Sequence, residues 1–213
     1  VMLPMAATLA ETDHVLGHEL VHAFQYDMLA ENIQIMPLWF IEGMAEYLSI
    51  GPRSAQTAMW LRDAAIEDKL PRLQDLDNPR FFPYRFGHAF WAYVAGRWGD
   101  QFIGKVMQAV AAPTVTAAEA EAQAAQTGGP VQIAHNAIEL IELATGQKRD
   151  EFSEAWHAAI RETYGVGPAP TRKVKPTGTV IGERTGSGSM NVGPALSPDG
   201  TKVAFLSEKD RLS

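Results

Sequence analysis

Leu16 to Gln25 reads LGHELVHAFQ, with two histidines four residues apart and a glutamate beside the first. On a helix, residues i and i+4 project from one face about one turn apart. His18 and His22 can therefore aim an imidazole nitrogen each at a single ion. Glu19 reaches the same side, placed to take a proton from metal-bound water rather than to ligate. In a chain of this composition such a pentapeptide arises by accident on the order of one time in a hundred. A catalytic zinc also needs a third protein ligand and an open position for water.

A second segment, WFIEGMAEY, carries Glu42 and, one turn on, Glu46. Two carboxylates among Trp39, Phe40, Ile41, Met44 and Leu48 are costly to bury unpaired. Glu42 on the metal accounts for one. Glu46 bonded to the free ring nitrogen of a ligating histidine accounts for the other. Gly17 and Gly43 lack side chains and allow the two helices a close approach, at about 1 kcal/mol each in helix propensity. His14 extends the histidines into an i, i+4, i+8 row and is placed at a cleft rim or on a backbone group, not on the metal. The chain has no cysteine, so any metal must be held by His, Asp or Glu.

The pair HELVH and WFIEGMAEY resembles the gluzincins, the thermolysin-like superfamily of zinc peptidases, and more narrowly the peptidase MA-like group. The resemblance covers roughly residues 1–165. It implies zinc as the cofactor, His18, His22 and Glu42 as its ligands, and Glu46 in the carboxylate position behind them. It also implies hydrolysis of peptide bonds in a peptide or protein substrate by metal-activated water, with Glu19 as general base. The superfamily takes an oxyanion donor from a later helix. In YRFGHAFWAYV the candidates are Tyr84, which we favour, and His88. The opening VMLPM resembles the edge strand that pairs with extended substrate. The rival reading is a catalytically silent zinc-binding scaffold or binding module attached to a β-propeller.

The elements that must position these residues are mainly helical, within an α+β whole. Val1–Met5 reads as a strand. Thr12 or Asp13 is placed to cap a helix running to about Leu29, with Val15, Leu16, Leu20, Val21 and Phe24 as its apolar side. Asn32–Pro37 is a loop, and a second helix spans Leu38–Ile50, stopped by Gly51-Pro52. Ser54 caps a third helix over Ala55–Asp68, and Tyr84–Trp98 forms a fourth. A fifth follows Gly99-Asp100 to about Ala111, and two more fit Val131–Thr145 and Asp150–Tyr164. Residues 112–130, rich in Ala, Glu, Gln and Thr, read as a solvated low-complexity insertion. Trp91, Trp98, Trp156 and His157 read as packing residues.

The character changes after residue 165. Residues 166–189 are rich in Gly, Pro, Thr and Lys and read as a linker. PALSPDGTKVAFLS then places two apolar runs around Pro-Asp-Gly, a hairpin signal. It resembles the repeat of TolB-type, WD-repeat-like β-propellers, so residues 190–213 read as the first part of a blade, with further repeats expected beyond Ser213.

A formal charge of −7 with no basic block excludes a nucleic-acid or anionic-membrane partner from the expectations. No apolar run is long enough for a membrane span. The chain opens without Met and is read as part of a longer polypeptide. No signal sequence is visible, although the family resemblance makes an extracytoplasmic location the natural expectation.

Overall fold

The computed structural model describes residues 8–112, 136–167, 178, 186, 188 and 191–209, apart from the side chain of residue 31. Its contacts divide the chain into two units, residues 1–172 and 173–213. Among the described residues the architecture is mainly helical with one small two-stranded sheet. The strand expected at Val1–Met5, most of the 112–130 insertion and most of the 166–189 linker lie outside the described residues.

In the first unit α1 spans Leu9–Leu29. It begins a turn earlier than the Thr12 or Asp13 cap predicted from sequence, because Thr8 and Glu11 form a capping box. The Thr8 backbone N–H donates to Glu11 Oε2 at 2.9 Å, and the Glu11 N–H donates to Thr8 Oγ1 at 3.2 Å. Thr12 is already inside the helix, its hydroxyl donating to Thr8 O.

The expected apolar side of α1 is also corrected. The helix buries His18, Gln25 and Leu29, while Leu16, Leu20 and Phe24 are 48%, 54% and 58% exposed. The cause is the neighbour. Polar groups on α2 (Leu38–Ile50) face this side of α1 and pair with its histidines and glutamine.

α2 has the predicted bounds. Pro37 ends the extended approach, and Gly51, at φ 77°, receives the chain at the far end. Trp39, Phe40, Met44 and Ala45 are almost wholly buried, which makes α2 the centre of the unit. The loop expected at Asn32–Pro37 is largely a 3-10 turn over Ala30–Ile35, tied down where Asn32 Nδ2 donates to Val110 O.

α3 covers Ala55–Ile66, capped by Ser54 as expected, and ends two residues before Asp68, which adopts φ 55°. α4 covers Pro83–Trp98 and crosses α2 with the backbones in contact. A Cβ on Gly43 would fall on the Gly87 backbone, and one on Gly87 would fall on the Trp39 carbonyl. Gly43 thus serves the α2–α4 crossing, not the α1–α2 approach read from sequence. Gly17 does face α2, where an added Cβ would meet Ser49 Cβ at 3.3 Å.

Aromatic side chains lock the crossing. Trp91 Nε1 donates to Phe40 O at 2.9 Å, and Trp39 and Phe90 pack edge to face. α5 (Gln101–Ala111), α6 (Ala137–Thr145) and α7 (Arg149–Thr163) close the core with Val106, Ile141, Phe152 and Trp156. His157 donates from Nε2 to Pro71 O, and Ser153 Oγ accepts from Leu73 N–H, fastening α7 to the segment before α4.

In the second unit β1 (Asn191–Leu196) and β2 (Val203–Ser207) pair antiparallel, with Leu196 opposite Val203. The predicted Pro-Asp-Gly turn joins them, the Gly200 N–H donating to Ser197 O. A register shift falls between Val192 and Ala195, where Gly193 and Pro194 interrupt the ladder. Among the described residues no helix is long and apolar enough to cross a membrane.

Candidate metal centre

The facing sides of α1 and α2 bring His18, His22 and Glu42 together. His18 Nε2 and His22 Nε2 lie 3.1 and 3.2 Å from Glu42 Oε2, and 3.0 Å from each other. The i, i+4 spacing supplies the histidines, and the second turn of α2 supplies the carboxylate beneath them.

The outer ring nitrogens are already engaged. Gln25 Nε2 donates to Ile41 O at 3.0 Å, which turns its Oε1 toward His22, where it accepts from Nδ1–H at 2.7 Å. His18 Nδ1 lies 3.2 Å from Glu46 Oε1, an ion-pair contact without the alignment of a hydrogen bond. With protons on both Nδ1 atoms, the two Nε2 lone pairs and a carboxylate oxygen converge on one point. Three electron-rich atoms at that spacing require a proton or a cation between them.

Bond lengths of about 2.0–2.1 Å in a tetrahedral site put zinc ligands about 3.3 Å apart. The observed 3.0–3.2 Å separations fit that donor set. The two nitrogens and one carboxylate oxygen also suit zinc chemically.

Without metal the site balances its charge with protons. Burial would lower the His18 pKa, but the Glu42 and Glu46 carboxylates outweigh it and raise the value to about 9. The bond to Glu42 raises His22 against the opposing effect of burial. Burial would raise Glu42, yet the two imidazoles hold it down at about 2. Glu46 is lowered in the same way: burial is outweighed by His18, Arg85 and His14.

Glu19 is half-buried on α1 beside this cluster, and its charge is felt at the Tyr84 hydroxyl. The Tyr84 ring stacks on the His18 ring at 5.9 Å between centroids. Burial, then the charge of Glu42 and a hydrogen bond to it, raise the Tyr84 pKa, so the hydroxyl keeps its proton. His88, the other donor candidate, turns elsewhere. It is 1% exposed and donates from Nε2 to Gly51 O at 2.8 Å, serving the end of α2.

Three participants were not assigned from sequence. Gln25 closes the quoted stretch HAFQ, and its i+3 spacing from His22 was a readable signal. Arg85, 8% exposed, places Nη1 2.7 Å from Glu46 Oε2. Its only local sign is a charge inside an aromatic helix. His14, expected at a rim or on backbone, has a side chain 31% exposed and sets Nε2 3.2 Å from Glu46 Oε1. His14, His18 and Glu46 thus form a second group of metal-capable atoms, but Arg85 already brings positive charge to that carboxylate.

A protein-family model described as BSP, peptidase of plants and bacteria, matches residues 4–74. The matched range holds His14, His18, Glu19, His22, Glu42 and Glu46 and ends before Tyr84 and Arg85. It supports a peptidase-related domain. Comparison with curated proteins and with solved structures gave no match.

Proposed function

We propose that this chain is a zinc-dependent peptidase of gluzincin type, with His18, His22 and Glu42 as ligands and Glu19 as general base. The observation that carries the reading is the convergence of two Nε2 lone pairs and one carboxylate oxygen, with the histidines' Nδ1 atoms already held by Gln25 and Glu46. The family match to a peptidase supplies the reaction class.

Zinc bound there would supply Lewis acidity, polarising a peptide carbonyl and bringing the pKa of water toward neutrality. The chain's own residues do the rest. The Glu19 carboxylate accepts a proton from the attacking water and returns it to the leaving amine. The Tyr84 hydroxyl, kept protonated by burial and by Glu42, is the donor for the developing oxyanion. Gln25 and Glu46 hold the imidazoles in the tautomer that leaves Nε2 free. In the second unit, the β1–β2 hairpin supports the reading of a propeller blade's opening, since an isolated hairpin is marginal in water.

The test is cleavage of a quenched fluorescent peptide library by chain stripped of metal and then given one equivalent of zinc. Activity that disappears on stripping and returns with zinc supports the reading. Zinc uptake with no cleavage of any peptide would refute peptidase function while leaving the metal site standing.

A further inference from the structure

Glu46 is a carboxylate only 3% exposed, reached by cation-capable groups on two other helices. Its Oε1 lies 3.2 Å from His14 Nε2 and 3.2 Å from His18 Nδ1, both on α1. Its Oε2 lies 2.7 Å from Arg85 Nη1 on α4 and makes no hydrogen bond. The pairing is between buried groups: the Arg85 side chain is 10% exposed, against 31% for His14.

The two sides of Glu46 are therefore unequal. The guanidinium carries a permanent charge in a dry position, whereas His14 stands toward solvent. Remove the guanidinium and a buried carboxylate loses the partner of one oxygen. It can then swing toward His14 and water. That movement withdraws the acceptor facing His18 Nδ1. That ring then gains freedom to rotate, or to carry its proton on Nε2, the atom turned toward Glu42 and His22.

The position of Arg85 in the chain sharpens this. It directly follows Tyr84, whose ring stacks on the His18 ring. Consecutive residues of α4 thus brace one imidazole, Tyr84 against its face and Arg85 through Glu46 at its edge. The close α2–α4 crossing at Gly43 and Gly87 brings α4 near enough for both.

We infer that Arg85 is a positioning residue for the metal centre, acting through Glu46 to hold His18 in the orientation and tautomer that bind metal. This rests on the reading of His18 as a zinc ligand. His14 takes the subordinate place, occupying the free side of Oε1.

The experiment measures zinc dissociation constants by chelator competition on the full chain, with cobalt(II) absorption spectra as a second readout. The variants are Arg85→Met, Arg85→Lys, Glu46→Gln and the double variant Arg85→Met/Glu46→Gln. Arg85→Met is expected to weaken zinc by about 10–100-fold and to alter the cobalt bands. Arg85→Lys, which keeps the charge, should recover most of that loss. In the Glu46→Gln background the Arg85→Met change should cost nothing further, because its route to the metal is already cut.

Equal zinc affinity and identical cobalt spectra in wild type and Arg85→Met would overturn the inference, with the zinc site intact. Losses that add in the double variant would overturn it too, since Arg85 would then act by another route. If Arg85→Met fails to fold, Arg85→Gln, which also removes the charge, replaces it in both the single and the double variant. Failure of wild type to bind zinc would instead strike the parent reading, and that result is distinct from either outcome for Arg85.

Discussion

At the scale of single residues, the centre is a problem in placing protons. Each histidine has two ring nitrogens, and the structure engages the outer one so that the inner one is left for a ligand. Glu42 and Glu46 differ accordingly. Glu42 Oε2 touches both Nε2 atoms, whereas Glu46 contacts His18 at the opposite nitrogen. Glu42→Ala should therefore abolish stoichiometric zinc binding, measured by metal analysis after gel filtration. Glu46→Ala should weaken binding by about 10–100-fold without abolishing it. The reverse pattern would exchange their roles.

The same residues predict a pH dependence in metal-free protein. His18 has its pKa raised from 6.5 to about 9 when folded, so the folded state binds the extra proton. Its stabilisation is full below pH 6.5 and is lost as pH rises through about 9. Glu42 is lowered from 4.5 to about 2, so its contribution is full above pH 4.5 and is lost as pH falls toward 2. Chelator-treated wild type should show its greatest melting-temperature advantage over His18→Gln between pH 4.5 and 6.5. An advantage that grows from pH 7 to 9 would contradict these assignments. Zinc competes with the proton at Nε2, so its affinity should move the other way and improve as pH rises.

At the scale of elements, two glycines decide how near α4 comes to the site. Gly43 and Gly87 face each other where α2 and α4 cross, with no room for a methyl group. Gly87→Ala should destabilise the fold by about 3 kcal/mol in urea denaturation, the upper end of overpacking costs. Gly96, on the same helix, has open space around its Cα and no positive φ. Gly96→Ala should stabilise by up to about 1 kcal/mol through helix propensity alone. Equal effects at the two positions would remove the crossing from the account.

Elements bounded by local chemistry were legible in the sequence. Pro37 and Gly51 mark both ends of α2, and Ser54 marks the start of α3. The Pro-Asp-Gly hairpin turn was equally plain. The start of α1 was missed because two plausible caps, Thr12 and Asp13, lie inside a helix that Thr8 and Glu11 had already begun. Its buried face was missed for a different reason. Periodicity assigns apolar residues inward, whereas α1 turns His18 and Gln25 toward polar partners on α2. The local pairs His18–His22 and Glu42–Glu46 could be read from spacing. Arg85 could not, because its tie to Glu46 exists only once α4 has crossed α2.

At the scale of the molecule, the helical unit of residues 1–172 holds every residue placed at the candidate centre, and the hairpin belongs to the unit of residues 173–213. A chain limited to residues 1–172 should keep the zinc stoichiometry and the thermal midpoint of the 213-residue chain within a few degrees. Loss of either on truncation would show that the second unit takes part in forming the first. The helical unit also presents Leu16, Leu20 and Phe24 at its surface while spending its polar α1 face on the site. Where α1 meets α2, His18, His22 and Gln25 pair with polar groups in place of the apolar packing that periodicity alone would favour.

The most direct measurement of the central claim is the rate of peptide cleavage by zinc-loaded wild type and zinc-loaded Glu19→Gln, with metal content determined on the same samples. The account predicts one zinc per chain in both, and a rate in the variant lower by about 10²–10⁴-fold, the range for loss of a general base. Equal rates at equal zinc content would contradict it and remove Glu19 from the reaction.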